Sequence, residues 1–344
     1  MKSGPYIVFW ALLLLTLTSC GSYVPQQLIH SGSQLPISST ATLPLHIQFN
    51  GVTSFIIRYG NSVVLTDPFV SNPPFKTVLF GKLYPNTEAI SKAFRTDDLA
   101  QVKLVTISHA HYDHLMDLPS LLCSIPNNAI IAGSSTMAHI MVAAKPKQQL
   151  LSVNNLIGTD STLGQWIYSA DSTVRMMPFV SDHPPHIFGI KLYPGPYTED
   201  LKEIPVKGKH WKQGLSLTFI IDFMEAGKPV YRVYSQSSSA HGKMGLFPRE
   251  MLDEKPVDIV LISQAVKGKK TDYSEVVIKH CKAPIVFCTH WENFFRKPEQ
   301  PWKAVPKAKV AANFQYLQTT EHGNMVLILP KPGSKYLVGP IPLN

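Results

Sequence analysis

Three imidazoles and a carboxylate stand within six residues at His109-Ala110-His111-Tyr112-Asp113-His114. Neutral imidazole is a good donor to zinc, and a carboxylate serves zinc or harder ions. An ion held by such groups lowers the pKa of its water to ~7 and polarises a carbonyl or phosphoryl oxygen, so the chemistry on offer is hydrolysis. The run from Val102 to Ile107 directly before it is apolar apart from Lys103, which predicts a buried strand. If extended geometry continues, His109 and His111 project to the same side. Asp113 and His114 follow on the turn, where they can face a neighbouring ion. The competing account is a histidine-rich surface loop that binds metal adventitiously.

A His-x-His-x-Asp-His segment after a buried strand resembles the signature of the metallo-β-lactamase-fold hydrolases. The resemblance runs from about residue 43 to 330. Upstream, Asn50-Gly51 and Val64-Leu65-Thr66-Asp67-Pro68 resemble that family's first hairpin and the aspartate that buttresses its site. The implied fold class is α/β, a four-layer αβ/βα sandwich with one or two metals at its edge. Within the family the likeness is to the branch of phospholipase D-like enzymes that cleave N-acylphosphatidylethanolamines. It rests on Asp67-Pro68, Phe80-Gly81 and His290-Trp291.

The resemblance also implies the remaining ligands. A histidine should end a strand some seventy residues on, and the stretch from Met176 to His186 supplies two. His183 is the choice because it comes sooner after the strand, with His186 as the alternative. A last histidine should follow a buried strand, and His290 does so. By this analogy His109, His111 and His183 hold one ion, and Asp113, His114 and His290 form a second site, with zinc expected in one or two copies. Asp113 would be catalytic, orienting hydroxide and accepting a proton, while His290 or Trp291 contacts substrate. One departure stands out. Where the family carries an aspartate bridging both metals, this chain reads Val233-Tyr234-Ser235-Gln236-Ser237-Ser238-Ser239. Gln236 is expected at the bridging position, and an amide there would weaken the second site. Asp222 or another carboxylate reaching in is the alternative, and a degenerate, non-catalytic protein is a third outcome.

The elements that must position these residues are legible as well. Strands are expected from Leu45 to Phe49, Ser54 to Tyr59 and Ser62 to Thr66, the last two joined at Gly60-Asn61. Further strands are expected at Ala129 to Ile131, Val174 to Pro178, Ser216 to Asp222, Pro229 to Tyr234, Asp258 to Ile262, Pro284 to Cys288 and Met325 to Leu329. Helices are expected at Leu118 to Ser124, Ser135 to Ala144, Tyr273 to His280 and Lys307 to Gln318. Residues 69–98, with several prolines and aromatics, read as a long surface excursion of the kind that forms lids.

The N-terminus sets the expected compartment. Lys2, the apolar run from Tyr6 to Leu17 and the end Leu17-Thr18-Ser19-Cys20 have signal-peptide proportions. They resemble a bacterial lipoprotein signal, with cleavage before an acylated Cys20. Residues 1–19 are then the signal peptide, residues 20–42 a flexible low-charge tether, and residues 43–344 one metallo-β-lactamase-like domain. Gly21 after the cysteine points to the outer membrane, facing the periplasm. Cys123, Cys281 and Cys288 remain, an odd number without a CxxC spacing, so a structural zinc framework is excluded.

Charged residues make up 16% of 344, and the net charge is +9. The aromatic content excludes a disordered chain, and the basic balance favours anionic partners. Lys202, Lys207, Lys209, His210 and Lys212 around Trp211 could face phosphate headgroups. No nucleic-acid partner is expected, because no such module is appended. Serine catalysis at Ser235 to Ser239 lacks a Gly-x-Ser-x-Gly elbow. The expected function is a membrane-anchored metal-dependent hydrolase of a phosphodiester or lipid-like ester. A hydrolase of a lactone or amide, or a non-catalytic metal-binding lipoprotein, are the alternatives.

Overall fold

The protein is described by a computed structural model over residues 22–185, 191–238, 244–265, 272–296, 300–306, 308–320 and 324–339. The signal segment, Cys20 and His186 lie outside the described residues.

Alternation of side chains builds the first sheet. In Leu45–Gly51, Leu45, Ile47 and Phe49 are buried while His46 is exposed. Ser54–Tyr59 and Ser62–Thr66 pair antiparallel, and their turn uses Gly60 at a φ of 53°, where a side chain is disfavoured. Ser62–Thr66 is buried throughout because it feeds two cores. Val64 points between the sheets, and Val63 and Leu65 point outward under helices. A strand covered on both faces reads as a continuous apolar run. The sheet order is Gln34–Pro36, Lys335–Gly339, Leu45–Gly51, Ser54–Tyr59, Ser62–Thr66, Val102–Thr106, Ile130–Gly133 and Gln149–Ser152.

The second sheet runs Ile29–His30, Val326–Pro330, Ile285–Thr289, Ile259–Ser263, Lys228–Gln236, Leu217–Glu225, Val174–Val180 and Ile167–Tyr168. Between the sheets lie Phe49, Phe55, Leu104, Phe219, Ile221 and Phe287. Helices Thr87–Ala93 and Ser135–Met141 cover the outer face of the first sheet through Ile90, Met137 and Ile140. Helices Asp272–Cys281 and Val310–Thr319 cover the second through Val277, Ile278, Phe314 and Leu317. The result is the expected four-layer α/β sandwich, with an inner core and two outer ones.

Three expectations change. Residues 69–98 are not an open loop: they form helices Phe75–Phe80, Thr87–Ala93 and Thr96–Leu99, seated by Val78, Ile90 and Leu99. Asn86 caps the second by accepting from the Ala89 N–H at 3.1 Å. The stretch from Leu118 to Ser124 is two 3₁₀ turns rather than a helix, with Pro119 starting the first. The region read as a flexible tether is docked from residue 22 on. Ile29–His30 pairs parallel with Leu329 and Pro330, Gln34–Pro36 pairs with Leu337 to Gly339, and Val24, Leu35 and Ile37 are buried. Sparse charge looks alike in a linker and in an edge strand. Between the two short strands Gly32 has φ 105°, and a Cβ there would meet the Lys335 carbonyl oxygen at 2.4 Å. The chain therefore passes from one sheet to the other through a place only glycine fits. Among the described residues no helix is long and apolar enough to cross a membrane.

Candidate metal centre

The site lies where the strands of both sheets end. Val102–Thr106 runs into Ser108, whose carbonyl accepts from the Leu217 N–H at 2.8 Å, so the histidine segment is pinned to the second sheet. His111 has extended backbone and stands at the N-terminal boundary of the short helix Tyr112–Leu115. That helix turns Asp113 and His114 back toward the cluster. Val174–Val180 delivers His183 three residues past its end. Ile285–Thr289 delivers His290, which has φ 52° and donates its N–H to the Val52 carbonyl at 2.6 Å.

Two groups result: His109, His111 and His183, and beside them Asp113, His114 and His290, with the ligand atoms of each group within 4.8 Å of one another. The rings of His109 and His111 lie 4.8 Å apart, those of His109 and His183 4.7 Å, and those of His109 and His114 4.0 Å. His109 therefore touches both groups. Asp113 Oδ2 is 3.6 Å from His114 Nε2 and 3.8 Å from His290 Nε2.

Hydrogen bonds engage one nitrogen of most rings and leave the other toward the cluster. His183 Nδ1 donates to the Pro184 carbonyl at 2.7 Å, so Nε2 would be the atom offered to an ion. His111 Nε2 donates to the Leu192 carbonyl at 3.2 Å, so Nδ1 would be offered. His109 Nδ1 meets the Ser108 hydroxyl at 3.2 Å, and His114 Nδ1 meets Asp67 at 3.1 Å, so both would offer Nε2. Partners of this kind behind ligating histidines fix tautomer and orientation. Five imidazoles and one carboxylate, all but the half-buried His183 buried and four of the rings held from behind, fit a zinc-type ion in each group.

Asp67 is the hub behind the centre. It accepts from Thr53 Oγ1 at 2.8 Å, from the Ser108 N–H at 2.7 Å and Oγ at 2.8 Å, and from Ser237 Oγ. Its φ of 38° is a strained value for a non-glycine residue, held by this web of bonds. Burial alone would raise its pKa, but His114, Ser237 and the Ser108 N–H together hold it below the usual carboxylate range. Burial works to lower His114, and the Asp67 and Asp113 carboxylates outweigh it, so His114 is raised. Burial pushes Asp113 up against the pull of His114. Asp117 ties the next segment down, accepting from the Val70 and Ser71 N–H groups at 2.7 and 3.0 Å.

The expectation for Gln236 is corrected by its orientation. Tyr234 and Gln236 share the outward face of the strand Lys228–Gln236. Gln236 Oε1 accepts from Tyr234 at 2.6 Å, and Nε2 donates to Ser181 Oγ at 2.9 Å and to the Met244 carbonyl at 3.0 Å. The side chain that this strand end sends toward the cluster is Ser237. A one-residue slip turns a side chain to the other face, and sequence alone does not fix it. Asp222 does not reach in either: it pairs with Arg232 and Arg175. Trp291 is fully buried and donates Nε1 to the Pro330 carbonyl at 2.8 Å, which removes it as a substrate contact. Trp211 is likewise buried, in the outer core, so the basic stretch around it is not built on an exposed tryptophan. Thr53 and Ser237 are the supporting residues that sequence reasoning missed, since a lone hydroxyl carries no spacing signal.

Gln236→Asp is accordingly expected to leave metal content unchanged. It should lower stability by about 2 kcal/mol through broken buried hydrogen bonds. Elemental analysis beside urea unfolding checks both, and a rise in bound metal would contradict the orientation described.

Comparison with known proteins follows the geometry. Residues 63–231 match a family model described as a Beta-lactamase superfamily domain. No curated protein matches the chain by sequence. Among solved structures it is similar to Igni18, a metallo hydrolase from the archaeon Ignicoccus hospitalis, at 17% identity and a TM-score of 0.50, over 86% of this chain and 98% of that one. An isothiocyanate hydrolase from Delia radicum gut bacteria aligns at 12% identity and a TM-score of 0.49, over 84% of this chain and 98% of that one. At 17% identity the likeness to Igni18 is one of fold. The chain thus has the metallo-β-lactamase sandwich fold, and the stretch from residue 63 to 231 is the part that matches the superfamily's model.

Proposed function

We propose that this protein is a zinc-dependent hydrolase, held at the outer membrane by an acylated Cys20, that cleaves a phosphodiester or lipid-like ester. The observation that carries the hydrolase reading is the pair of ligand groups, each converging within 4.8 Å. When bound, zinc supplies Lewis acidity and activates water near neutral pH. Asp113 lies between His114 and His290, placed to orient the attacking water and take its proton.

The lipid-like substrate is supported by an aromatic wall beside the second group. The His290 ring meets Phe294 at a tilt with centroids 5.1 Å apart, Phe294 meets Phe295 at a tilt at 4.4 Å, and Phe295 meets Phe75 edge-on at 5.0 Å. These rings would exclude water and lie along an acyl chain. The likeness to the N-acylphosphatidylethanolamine-cleaving branch supports the same substrate class. No nucleic-acid partner is proposed.

The test is elemental analysis followed by turnover of a phosphodiester phospholipid, a lactone and an anilide. Metal-dependent cleavage of the phospholipid is expected. Cleavage of the lactone or anilide alone would overturn the substrate class. A second reading, a metal-binding lipoprotein without turnover, is favoured by the hydroxyl of Ser237, rather than a carboxylate, standing at that strand end, and metal without any turnover would select it.

A further inference from the structure

A groove of about 350 Å³ opens beside the site, outside both ligand groups. Its floor is Gln48 and Asn50, its walls include Trp302 and the helix Thr87–Ala93, and Lys92, Arg95 and Lys335 line it against a single carboxylate, Glu88. Asn50 is buried. Its Oδ1 accepts from Gln48 Nε2 at 2.7 Å, but its Nδ2 has no hydrogen-bond partner among the described residues. Asn50 Nδ2 is closed off from solvent in this conformation, so recognition in the groove rests on its cations. Lys92 is paired to Glu88 at 2.6 Å. Arg95 reaches Asp97 only at 3.5 Å across an exposed gap, and such a pair contributes little. Lys335 makes no ion pair within 4.0 Å among the described residues. A donor-rich pocket with surplus positive charge selects an anion with several acceptor oxygens.

We propose that this groove is a binding site for a phosphate group, separate from the metal centre. It adjoins that centre through the chain, since Asn50 leads within three residues to Thr53, which bonds Asp67 and meets His114 Nδ1. Free phosphate and a phospholipid headgroup share this chemistry.

Inorganic phosphate is titrated calorimetrically into the metal-loaded full chain, an Arg95→Glu/Lys335→Glu variant and a His109→Ala variant. The two replaced cations are exposed, so folding is not at stake. Binding is expected to weaken at least about tenfold in the double variant, the effect of losing a charge-assisted contact, and to persist in His109→Ala. Vesicles of phosphatidylcholine with phosphatidic acid form the second arm. Vesicle binding that depends on Arg95 and Lys335, without binding of free phosphate, identifies the headgroup as the source. Phosphate binding that survives the double variant and vanishes in His109→Ala overturns the site, as does failure of both probes to bind.

Discussion

His109→Ala is expected to strip most bound metal and to cut hydrolytic turnover by about a thousandfold, with the fold retained. The reason is position. The His109 ring is the one that lies within 5 Å of His111, His183 and His114 alike, so it serves one group and packs against the other. Losing the Lewis acid and the activated water together forfeits several kcal/mol of transition-state stabilisation, and each 1.4 kcal/mol is about tenfold in rate. The fold survives because the anchors behind the ring are untouched: Ser108 keeps Asp67, and Leu217 keeps the Ser108 carbonyl. The control is His139→Ala, which removes a partly exposed imidazole paired with Asp200 at 2.8 Å and should leave metal content alone. Elemental analysis and circular dichroism on both variants decide the matter. Unchanged metal in His109→Ala would sink the assignment of the centre.

The second large effect concerns stability. Asp222→Ala is expected to cost about 3–5 kcal/mol, because it leaves two buried guanidinium groups sharing the half-exposed Glu254 carboxylate. Asp222 holds Arg232 in a two-pronged pair at 2.7 and 2.8 Å, and Arg175 reaches the same carboxylate at 2.9 Å. Arg232 and Asp222 have no solvent exposure. Glu254 shares both arginines, and Arg175 lies 3.9 Å over the Trp166 ring. A buried pair is weak evidence of net stabilisation, whereas breaking one is costly. The double replacement Asp222→Leu/Arg232→Met should therefore lose less than Asp222→Ala alone. Urea midpoints of the three proteins test this, and a loss below about 1 kcal/mol for the single variant would refute it. Metal content should be unchanged throughout, which separates this network from the site.

Much of the site was legible because its chemistry is local. His109, His111, Asp113 and His114 sit in one segment, and His183 and His290 each follow an apolar strand. The Gly60-Asn61 turn signal located Ser54–Tyr59 and Ser62–Thr66 to the residue, since a tight turn fixes where both flanking strands stop. The illegible parts depend on tertiary context. Which of Gln236 and Ser237 faces the cluster is a matter of strand phase at a strand's end. Short edge strands such as Gln149–Ser152 and Ile167–Tyr168 carry too few residues for a period to show. Residues 69–98 are proline-rich and still helical, because the outer face of the first sheet offered Val78 and Ile90 somewhere to go.

The clasp formed by Ile29–His30 and Gln34–Pro36 changes the leash length of any anchor upstream. Order reaches back to Ser22, whose hydroxyl donates to the Ala308 carbonyl at 3.2 Å, and Tyr23 bridges to Lys303. If acylated Cys20 enters a bilayer, one residue, Gly21, separates it from docked chain, and the two residue steps from Cys20 to Ser22 span at most ~7 Å. Such a protein would not sample a wide volume above the membrane like a tethered float. It would ride close against the headgroups with one face committed toward them, and its orientation would decide which molecules can reach the catalytic edge.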